Sequence, residues 1–134
     1  MKIGLYPICG DVLHAGHVLA LEEASKNCDY LVVALNCKPD GKAPVQSVYE
    51  RMIQLRGVAY IDEIICYEGK KDLELLCWSF DYDVRFLGDD YRGKAWDGKE
   101  VEEFLGKEIF FLARQHGLSS TELKERIING KVTG

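Results

Sequence analysis

The sequence predicts a doubly wound α/β domain, in which helices cover both faces of a parallel sheet of about five strands. Short apolar segments alternate with amphipathic segments along the chain of 134 residues, which is the pattern of βαβ units. Residues 30–35 form an uninterrupted apolar run, as expected for a strand buried on both faces of a sheet. The length suits one domain better than two, so we expect residues 1–134 to form a single Rossmann-like domain.

The strands are expected where apolar runs are bounded by turn residues. Pro39, Gly41 and Pro44 predict a loop after the second strand. Gly88 ends the fourth strand. The predicted strands cover residues 3–8, 30–35, 63–67, 84–87 and 109–113.

Helical periodicity and capping residues define the segments between the strands. Leu21 and Ala24 fall within one turn among polar neighbours, which indicates an amphipathic helix. Ser47 is a suitable N-cap for the next helix. Ser119 has Glu122 three residues later, which is the pattern of a capping box. The predicted helices cover residues 17–26, 48–58, 72–80, 98–105 and 119–128.

The composition excludes several classes of function. A net charge of −5 argues against a general nucleic-acid-binding surface, which is normally basic. No apolar run is long enough to span a bilayer, and residues 1–5 lack the layout of a secretion signal, so we expect a cytoplasmic protein. The cysteine count is odd and no pair has CxxC spacing, so we expect free, mostly buried thiols at Cys9, Cys28, Cys37, Cys66 and Cys77.

Polar segments follow the first, fourth and fifth predicted strands. They are residues 9–17, 88–94 and 114–121. Because the carboxyl ends of parallel strands share one edge of the sheet, we expect these segments to meet at one rim, where such sheets bind ligands.

The segment after the first strand offers a phosphate cradle. His14 and His17 lie three residues apart at a helix start, a spacing that lets both imidazoles reach one pocket. The helix start supplies free backbone N–H groups, and Gly10 and Gly16 let the backbone approach a phosphate closely. Two histidine donors would stabilise charge that builds on a phosphorus under attack. The alternatives are a capping pair or two ligands of a metal ion.

A second anion site is predicted after the fifth strand. The hydroxyls of Ser119–Thr121 at a helix N-terminus can hold an anion that Arg114 clamps. The alternative is a capped helix beside a solvated arginine. Lys42, in the loop after the second strand, and Arg51, on the next helix, are cations suited to closing over a triphosphate. For Lys42 the alternative is a solvated surface position.

Two adjacent aspartates follow the fourth strand. The side chains of Asp89 and Asp90 are expected to diverge on an extended backbone, so that one of them orients a ligand hydroxyl or a water bound to Mg²⁺. The alternative is a polar turn after Gly88. Tyr91 and Trp96 either shape an acceptor pocket or pack against the core.

Three motifs together resemble one enzyme family. His14-Ala15-Gly16-His17 matches the HxGH motif of the nucleotidyltransferase superfamily. Residues 87–94 resemble the GDDWxGK stretch of the glycerol-3-phosphate cytidylyltransferases, and residues 114–121 resemble the RTEGISTT-like segment of the cytidylyltransferases. Glu50-Arg51 and residues 60–63 fall where that family has its ER and RYVDEV-like segments. The resemblance covers nearly the whole chain in order.

The resemblance implies a homodimeric enzyme that joins CMP from CTP to an alcohol phosphate, by default glycerol 3-phosphate, and releases pyrophosphate. It implies in-line attack on the α-phosphorus, with Mg²⁺ carried by the triphosphate and no covalent intermediate. His14 and His17 would stabilise the transition state, and Lys42 and Arg114 would bind phosphates. The expected nucleotide-binding residues are Cys9, Gly10, Asp11, Gly16, Gly88, Asp89, Asp90, Ser119, Ser120 and Thr121.

The chain departs from the family pattern in two places. The arginine of the RYVDEV-like segment falls at Ala59, and Arg56, one helical turn earlier, is the candidate substitute. Where relatives have Thr-Phe, this chain has Cys9-Gly10. Both departures bear on the acceptor more than on the class of reaction.

Two other functions are compatible with the same motifs. The HxGH motif and residues 44–52 also resemble the sugar-phosphate adenylyltransferases that make ADP-heptose, whereas residues 88–90 and the Arg114-x-x-Gly117 pattern favour CTP. A nucleotide-binding regulator without catalysis is favoured by Ala59 alone. The intact histidine pair argues against it, because a sensor has little use for groups that stabilise a transition state.

Overall fold

The computed structural model describes residues 1–41, 43–113 and 119–130, and it confirms the predicted α/β architecture. The strands are β1 (Ile3–Ile8), β2 (Tyr30–Asn36), β3 (Glu63–Tyr67), β4 (Val84–Gly88) and β5 (Glu108–Leu112). The helices are α1 (Ala15–Lys26), α2 (Val48–Arg56), α3 (Gly69–Ser79), α4 (Lys99–Leu105) and α5 (Ser120–Asn129), with a 3-10 turn at Asp89–Tyr91. The five strands form one parallel sheet in the order β3-β2-β1-β4-β5, which is the order of a doubly wound fold.

Two apolar layers enclose the sheet. On β2, Leu31, Val33 and Leu35 point to one face, and Val32 and Ala34 point to the other. The first face is covered by α1 and α2, and the second by α3 and α4. Because all five of these side chains are fully buried, the strand is apolar throughout and shows no alternation.

Side-chain caps fix the starts of two predicted helices. Ser47 Oγ accepts a hydrogen bond from the backbone N–H of Glu50 at 3.1 Å, and Glu50 Oε1 accepts one from the N–H of Ser47 at 3.0 Å. Ser119 Oγ accepts from the N–H of Glu122 at 3.1 Å. Both predicted N-caps are therefore confirmed. None of the described helices is both long and apolar enough to cross a membrane.

α3 begins at Gly69 rather than at the predicted Asp72. The carboxylate of Asp72 accepts a hydrogen bond from the backbone N–H of Glu68 at 2.7 Å, and Asp40 accepts one from the N–H of Lys70 at 2.9 Å. These carboxylates satisfy N–H groups at the helix start. Local periodicity does not reveal the second bond, because Asp40 belongs to a distant loop.

The prediction that most thiols are buried is wrong. All five cysteines are free, but Cys77 is the buried one, Cys66 is exposed, and the other three are partly exposed. Cys9, Cys28 and Cys37 lie just beyond the ends of β1, α1 and β2, outside the centre of the core.

We expect Gly4→Ala to destabilise the fold. A Cβ at this position of β1 would overlap the ring of Phe86 and lie 3.0 Å from Cys28 Sγ, and Phe86 is fully buried, so the core must shift to accept it. The free energy of unfolding, measured by urea denaturation, should fall by about 1–3 kcal/mol.

Gly57→Ala is the matched control. Gly57 ends α2 with right-handed helical backbone angles, and the nearest neighbour of an added Cβ would be the Gln54 carbonyl oxygen at 3.4 Å. Its unfolding free energy should change by no more than about 0.5 kcal/mol. Equal losses in the two variants would contradict the packing described for β1.

Candidate active site

The candidate active site is a crevice between the carboxyl ends of β1 and β4. These neighbouring strands pair at Gly4–Val84 and Leu5–Arg85 and no further, whereas β1 pairs with β2 along its full length. Beyond the last pair a cavity of about 630 Å³ opens between the two strands. In a doubly wound sheet this is the position at which ligands bind.

A strained turn leads out of β1 along the crevice. Gly10 has a φ of 66° and Val12 a φ of 51°. For a β-branched valine such a positive φ costs about 1–3 kcal/mol. The backbone N–H of Val12 donates to Gln46 Oε1 at 2.7 Å, which helps to hold the turn. The turn brings Cys9, Gly10 and Asp11 to the cavity wall.

Asp11 anchors this turn to the loop after β2. Its buried carboxylate accepts hydrogen bonds from the backbone N–H groups of Val45 and Gln46, both at 3.0 Å, and from Lys124 Nζ at 2.9 Å. Burial alone would raise the pKa of Asp11, but these bonds outweigh burial and lower the pKa to about 2. The ionised carboxylate therefore fixes the wall of the cavity that it borders.

His14 and His17 cap the start of α1. The backbone N–H of Gly16 donates to His14 Nδ1 at 2.9 Å, and the N–H of His14 donates to His17 Nδ1 at 3.2 Å. α1 consequently begins at Ala15 rather than at His17. A ring nitrogen that accepts an N–H bond carries no proton, so each neutral imidazole carries its proton on Nε2. Both histidines therefore cap the start of α1, and the proton of neutral His17 lies on Nε2, at the opposite edge of the ring from the cap.

His17 borders the cavity as a neutral donor. Burial and, to a smaller extent, the nearby His14 lower the pKa of His17 to about 4, with Asp11 opposing both. Within the described residues, Nε2 of His17 makes no hydrogen bond. The site therefore offers a ligand one oriented N–H donor.

The two aspartates after β4 take different positions. Asp90 borders the cavity together with Gly88, whereas Asp89 is half exposed and accepts a hydrogen bond from Arg92 Nε at 2.9 Å. The backbone here is a 3-10 turn rather than the expected extended strand. A Cβ on Gly88 would lie 2.6 Å from Asp90 Oδ1, so a larger residue here would displace the Asp90 side chain.

The segment after β5 reaches the crevice through α5. Ser119 caps this helix, and Thr121 is exposed and does not border the cavity. Lys124 on the next turn does border it and binds Asp11.

Several predicted site groups lie outside the described residues. These are Lys42, Arg114 and the side chain of Ser120, so their roles stay predictions. The chain just before Arg114 is held in place, because the backbone N–H of Ala113 donates to Glu23 Oε1 on α1 at 2.9 Å.

Arg51 is a buried side chain that links two chain segments. It is not the cation over the triphosphate that we predicted. Its side chain is 1% exposed, and Nη1 donates to the carbonyl oxygens of Cys9 at 2.7 Å and Asn36 at 2.8 Å. It thereby ties together the chain ends that follow β1 and β2. Its position four residues before Leu55, on the buried face of α2, was a signal for burial.

Sequence reasoning also missed Lys124, Gln46 and Arg85. Lys124 lies three residues after Thr121, a spacing that places the two on adjoining turns of one helix face. Arg85 is the lone charge within an apolar strand, a pattern that calls for a specific buried partner. Gln46 gave no signal, because its partner is a backbone N–H of another loop.

The described residues do not form a protein-only metal centre. Within residues 1–41, 43–113 and 119–130, no group of three or more His, Cys, Asp or Glu side chains is placed to hold a metal ion. The Nδ1 atoms of His14 and His17 are engaged by backbone N–H groups. These residues therefore favour the capping pair over a pair of metal ligands.

Comparisons with known proteins agree with this geometry. Residues 9–126 match a family model described as cytidylyltransferase-like. Glycerol-3-phosphate cytidylyltransferase of Bacillus subtilis is 34% identical over 124 residues, covering 87% of this chain and 90% of that protein. The bifunctional protein HldE of Hyphomonas neptunium is 30% identical and matches 98% of this chain, but the chain spans 28% of that protein's length.

The fold is also similar to a solved structure. The lipopolysaccharide core biosynthesis protein of Thermoplasma volcanium superimposes with a TM-score of 0.69 at 23% identity, covering 84% of this chain and 97% of that one. At this identity the likeness supports the fold alone.

The low pKa of Asp11 predicts a pH-dependent stability. Its folded-state pKa of about 2 lies below the ordinary value of 3.8, so the ionised carboxylate stabilises the fold above about pH 4, and this contribution is lost as the pH falls towards 2. At pH 6, Asp11→Asn should lower the free energy of unfolding by about 2 kcal/mol. At pH 3 the difference in unfolding free energy between the variant and the wild type should be smaller.

Urea denaturation at each pH measures this gap. Asp81→Asn, at an exposed position, is the control and should unfold as the wild type does at both pH values. A gap for Asp11→Asn that stays constant from pH 6 to pH 3 would show that its ionisation does not stabilise the turn.

Proposed function

The chain belongs to the cytidylyltransferase-like family of nucleotidyltransferases, and from that membership we propose that it transfers CMP from CTP to an alcohol phosphate, glycerol 3-phosphate by default, and releases pyrophosphate. The observation that carries the proposal is the neutral His17 on the cavity wall, with Nδ1 held by the backbone at the start of α1. Preformed donors of this kind suit a transition state in which negative charge grows on phosphate oxygens.

In the proposed reaction, a phosphate oxygen of the acceptor attacks the α-phosphorus of CTP. The new O–P bond forms as the bond to the departing pyrophosphate breaks in line with it. His17 Nε2–H donates a hydrogen bond to an α-phosphate oxygen. Because the backbone of His14 holds Nδ1, the ring is oriented before the substrate binds, and little reorganisation is needed at the moment of reaction. The positive end of the α1 dipole also stabilises negative charge on the phosphate.

The triphosphate also needs cations to balance its charge. Lys124 borders the cavity, and we assign Lys42 and Arg114 to the phosphates on the resemblance of their motifs. Mg²⁺ takes oxygen ligands and usually arrives with substrate phosphates, which suits the exposed carboxylate of Asp90 at the cavity. When bound, the ion would neutralise charge on the phosphates.

The assembly and location follow from the same resemblance. We assign the enzyme to the cytoplasm and to a homodimer. Exposed apolar side chains at and before α2 support a surface that a partner covers. They are Val45, Tyr49 and Ile53.

A second candidate is an adenylyltransferase acting on a sugar phosphate. The matches to bifunctional protein HldE favour it, because they are as prominent as the match to the cytidylyltransferase. The regulator alternative rests on Ala59, which is exposed and does not border the cavity, and the same holds for Arg56.

Pyrophosphate release tests the proposal. The protein is incubated with Mg²⁺, with CTP or ATP, and with each of a panel of alcohol phosphates. Release with CTP and one acceptor supports the proposal. Pyrophosphate release with ATP alone would identify the protein as an adenylyltransferase. No release with either nucleotide would contradict catalysis on this panel of acceptors.

We expect His17→Asn to remove turnover while keeping the fold. The Asn amide oxygen can still accept the N–H of His14 at the position of Nδ1, but no group reaches the position of Nε2. The kcat should fall by about 100-fold or more, while the midpoint of thermal unfolding stays close to that of the wild type.

His17→Gln is the matched control. Its amide reaches the position of Nε2 but does not cap His14, so it should lose more stability and less turnover than His17→Asn. A wild-type kcat in His17→Asn would remove His17 from the reaction.

A further inference from the structure

Arg85 lies on the cavity wall with hydrogen-bond donors to spare. It occupies the last paired position between β1 and β4, and its side chain is 4% exposed. Nη1 donates to the Asp97 carbonyl oxygen at 3.0 Å and to Glu102 Oε1 at 3.1 Å. Nε is buried without a partner, and Nη2 donates to no residue that the structure describes. We propose that Arg85 selects the acceptor by donating hydrogen bonds from Nη2 to acceptor hydroxyl groups.

A buried network holds the Arg85 guanidinium in place. Glu102 is fully buried, and its carboxylate also accepts hydrogen bonds from Trp96 Nε1 at 2.9 Å and from the Tyr82 hydroxyl at 2.7 Å. Glu102 therefore both neutralises and orients Arg85. Burying such a pair is costly, and a buried donor left without an acceptor adds to the cost. A ligand oxygen at this wall would supply an acceptor for Nη2, which is not among the inaccessible atoms of the guanidinium.

The surrounding wall presents both donors and acceptors. The hydroxyl-bearing residues Tyr6 and Tyr67 line the cavity, and so do the carboxylate-bearing residues Asp90 and Asp97. Burial raises the pKa of both tyrosines to about 12, so their hydroxyls stay protonated. A hydroxyl group both donates and accepts, so a ligand rich in hydroxyls matches a wall of this mixed character.

The Trp96 ring on this wall is not available to the cationic head of an acceptor. Aromatic residues that bind quaternary ammonium groups do so with a free ring face. Lys99 Nζ already lies 5.0 Å from the centroid of the Trp96 ring, so that aromatic ring is already paired with a cation. A further anionic group on the acceptor is disfavoured, because Glu102 has already neutralised Arg85 and four aspartates line the same cavity, namely Asp11, Asp40, Asp90 and Asp97.

This inference rests on the proposed function, since it places the acceptor in the same cavity as the nucleotide. The first experiment measures acceptor binding by calorimetry on the protein saturated with a nonhydrolysable analogue of CTP or of ATP, whichever nucleotide binds. Propyl phosphate and glycerol 3-phosphate share a three-carbon chain and differ by two hydroxyls. A pentitol phosphate, a hexose phosphate and phosphoethanolamine complete the series.

We expect the best polyol or sugar phosphate to bind at least about tenfold more tightly than propyl phosphate and phosphoethanolamine. Equal binding of propyl phosphate, tighter binding of phosphoethanolamine, or no binding by any hydroxylated phosphate would overturn the inference. Calorimetry measures acceptor binding and does not need turnover. If the protein uses ATP instead of CTP, the proposed function is contradicted, but the role of Arg85 in acceptor binding can still be tested.

The variants Arg85→Lys and Arg92→Lys assign the effect to one residue. Arg85→Lys keeps the charge opposite Glu102 but removes the Nε and Nη2 donors. Its preference for hydroxylated acceptors should shrink to a few-fold, with the affinity for nucleotide unchanged. Arg92→Lys makes the same change at an exposed arginine that does not border the cavity, and it should keep the wild-type preference.

The double variant Arg85→Met/Glu102→Gln provides a second test if Arg85→Lys does not fold. It removes both buried charges together, so no unpaired carboxylate is left in the core. It should also lose the hydroxyl preference. A wild-type preference in either folded variant would show that Arg85 does not select the acceptor.

Discussion

The site exists because β1 and β4 are neighbours whose chains continue to opposite faces of the sheet. β1 leads into α1 on one face, and the chain after β4 leads to α4 on the other. The ladder between the two strands stops at Leu5 and Arg85, although β1 stays paired with β2 as far as Ile8 and β4 stays paired with β5 as far as Gly88. The cavity forms beyond that pair. Strand order thus decides where a ligand binds before any particular side chain is considered.

Buried polar groups then give the crevice its shape. Asp11 ties the turn after β1 to the loop after β2, Arg51 ties the chain ends beyond these two strands, and Glu102 holds Arg85. Each is expensive to bury and is compensated by specific hydrogen bonds. The strained φ of Val12 is held within this framework. His17 caps a helix with one ring nitrogen and also lines the cavity.

The sequence was informative where function and fold use local patterns. The apolar run from Leu31 to Leu35 predicted a fully buried strand, and the spacing of His14 and His17 placed both at a helix start. Because the rim of a parallel sheet is set by topology, the prediction that residues 9–17 and 88–94 meet was also correct, as Gly10 and Asp90 show.

What the sequence could not reveal depends on contacts between distant segments. The spacing of Arg51 to Leu55 indicated burial, but nothing local identified its acceptors, which are the carbonyl oxygens of Cys9 and Asn36 at the ends of two strands. Asp11 was predicted to line the nucleotide site and does border the cavity, but the sequence could not reveal its hydrogen bonds to a loop and a helix far along the chain. The divergence of Asp89 from Asp90 was predicted, but the 3-10 turn that produces it was not.

The central claim is that the backbone fixes His17 as a neutral Nε2–H donor facing the nucleotide. Long-range proton–nitrogen NMR of the labelled protein reports the protonation of each ring nitrogen directly. We expect His17 to carry its proton on Nε2 and to stay neutral until the pH falls to about 4. We also expect its Nε2 resonance to shift when CTP is added. A proton on Nδ1, or an Nε2 resonance that does not respond to the nucleotide, would contradict this claim.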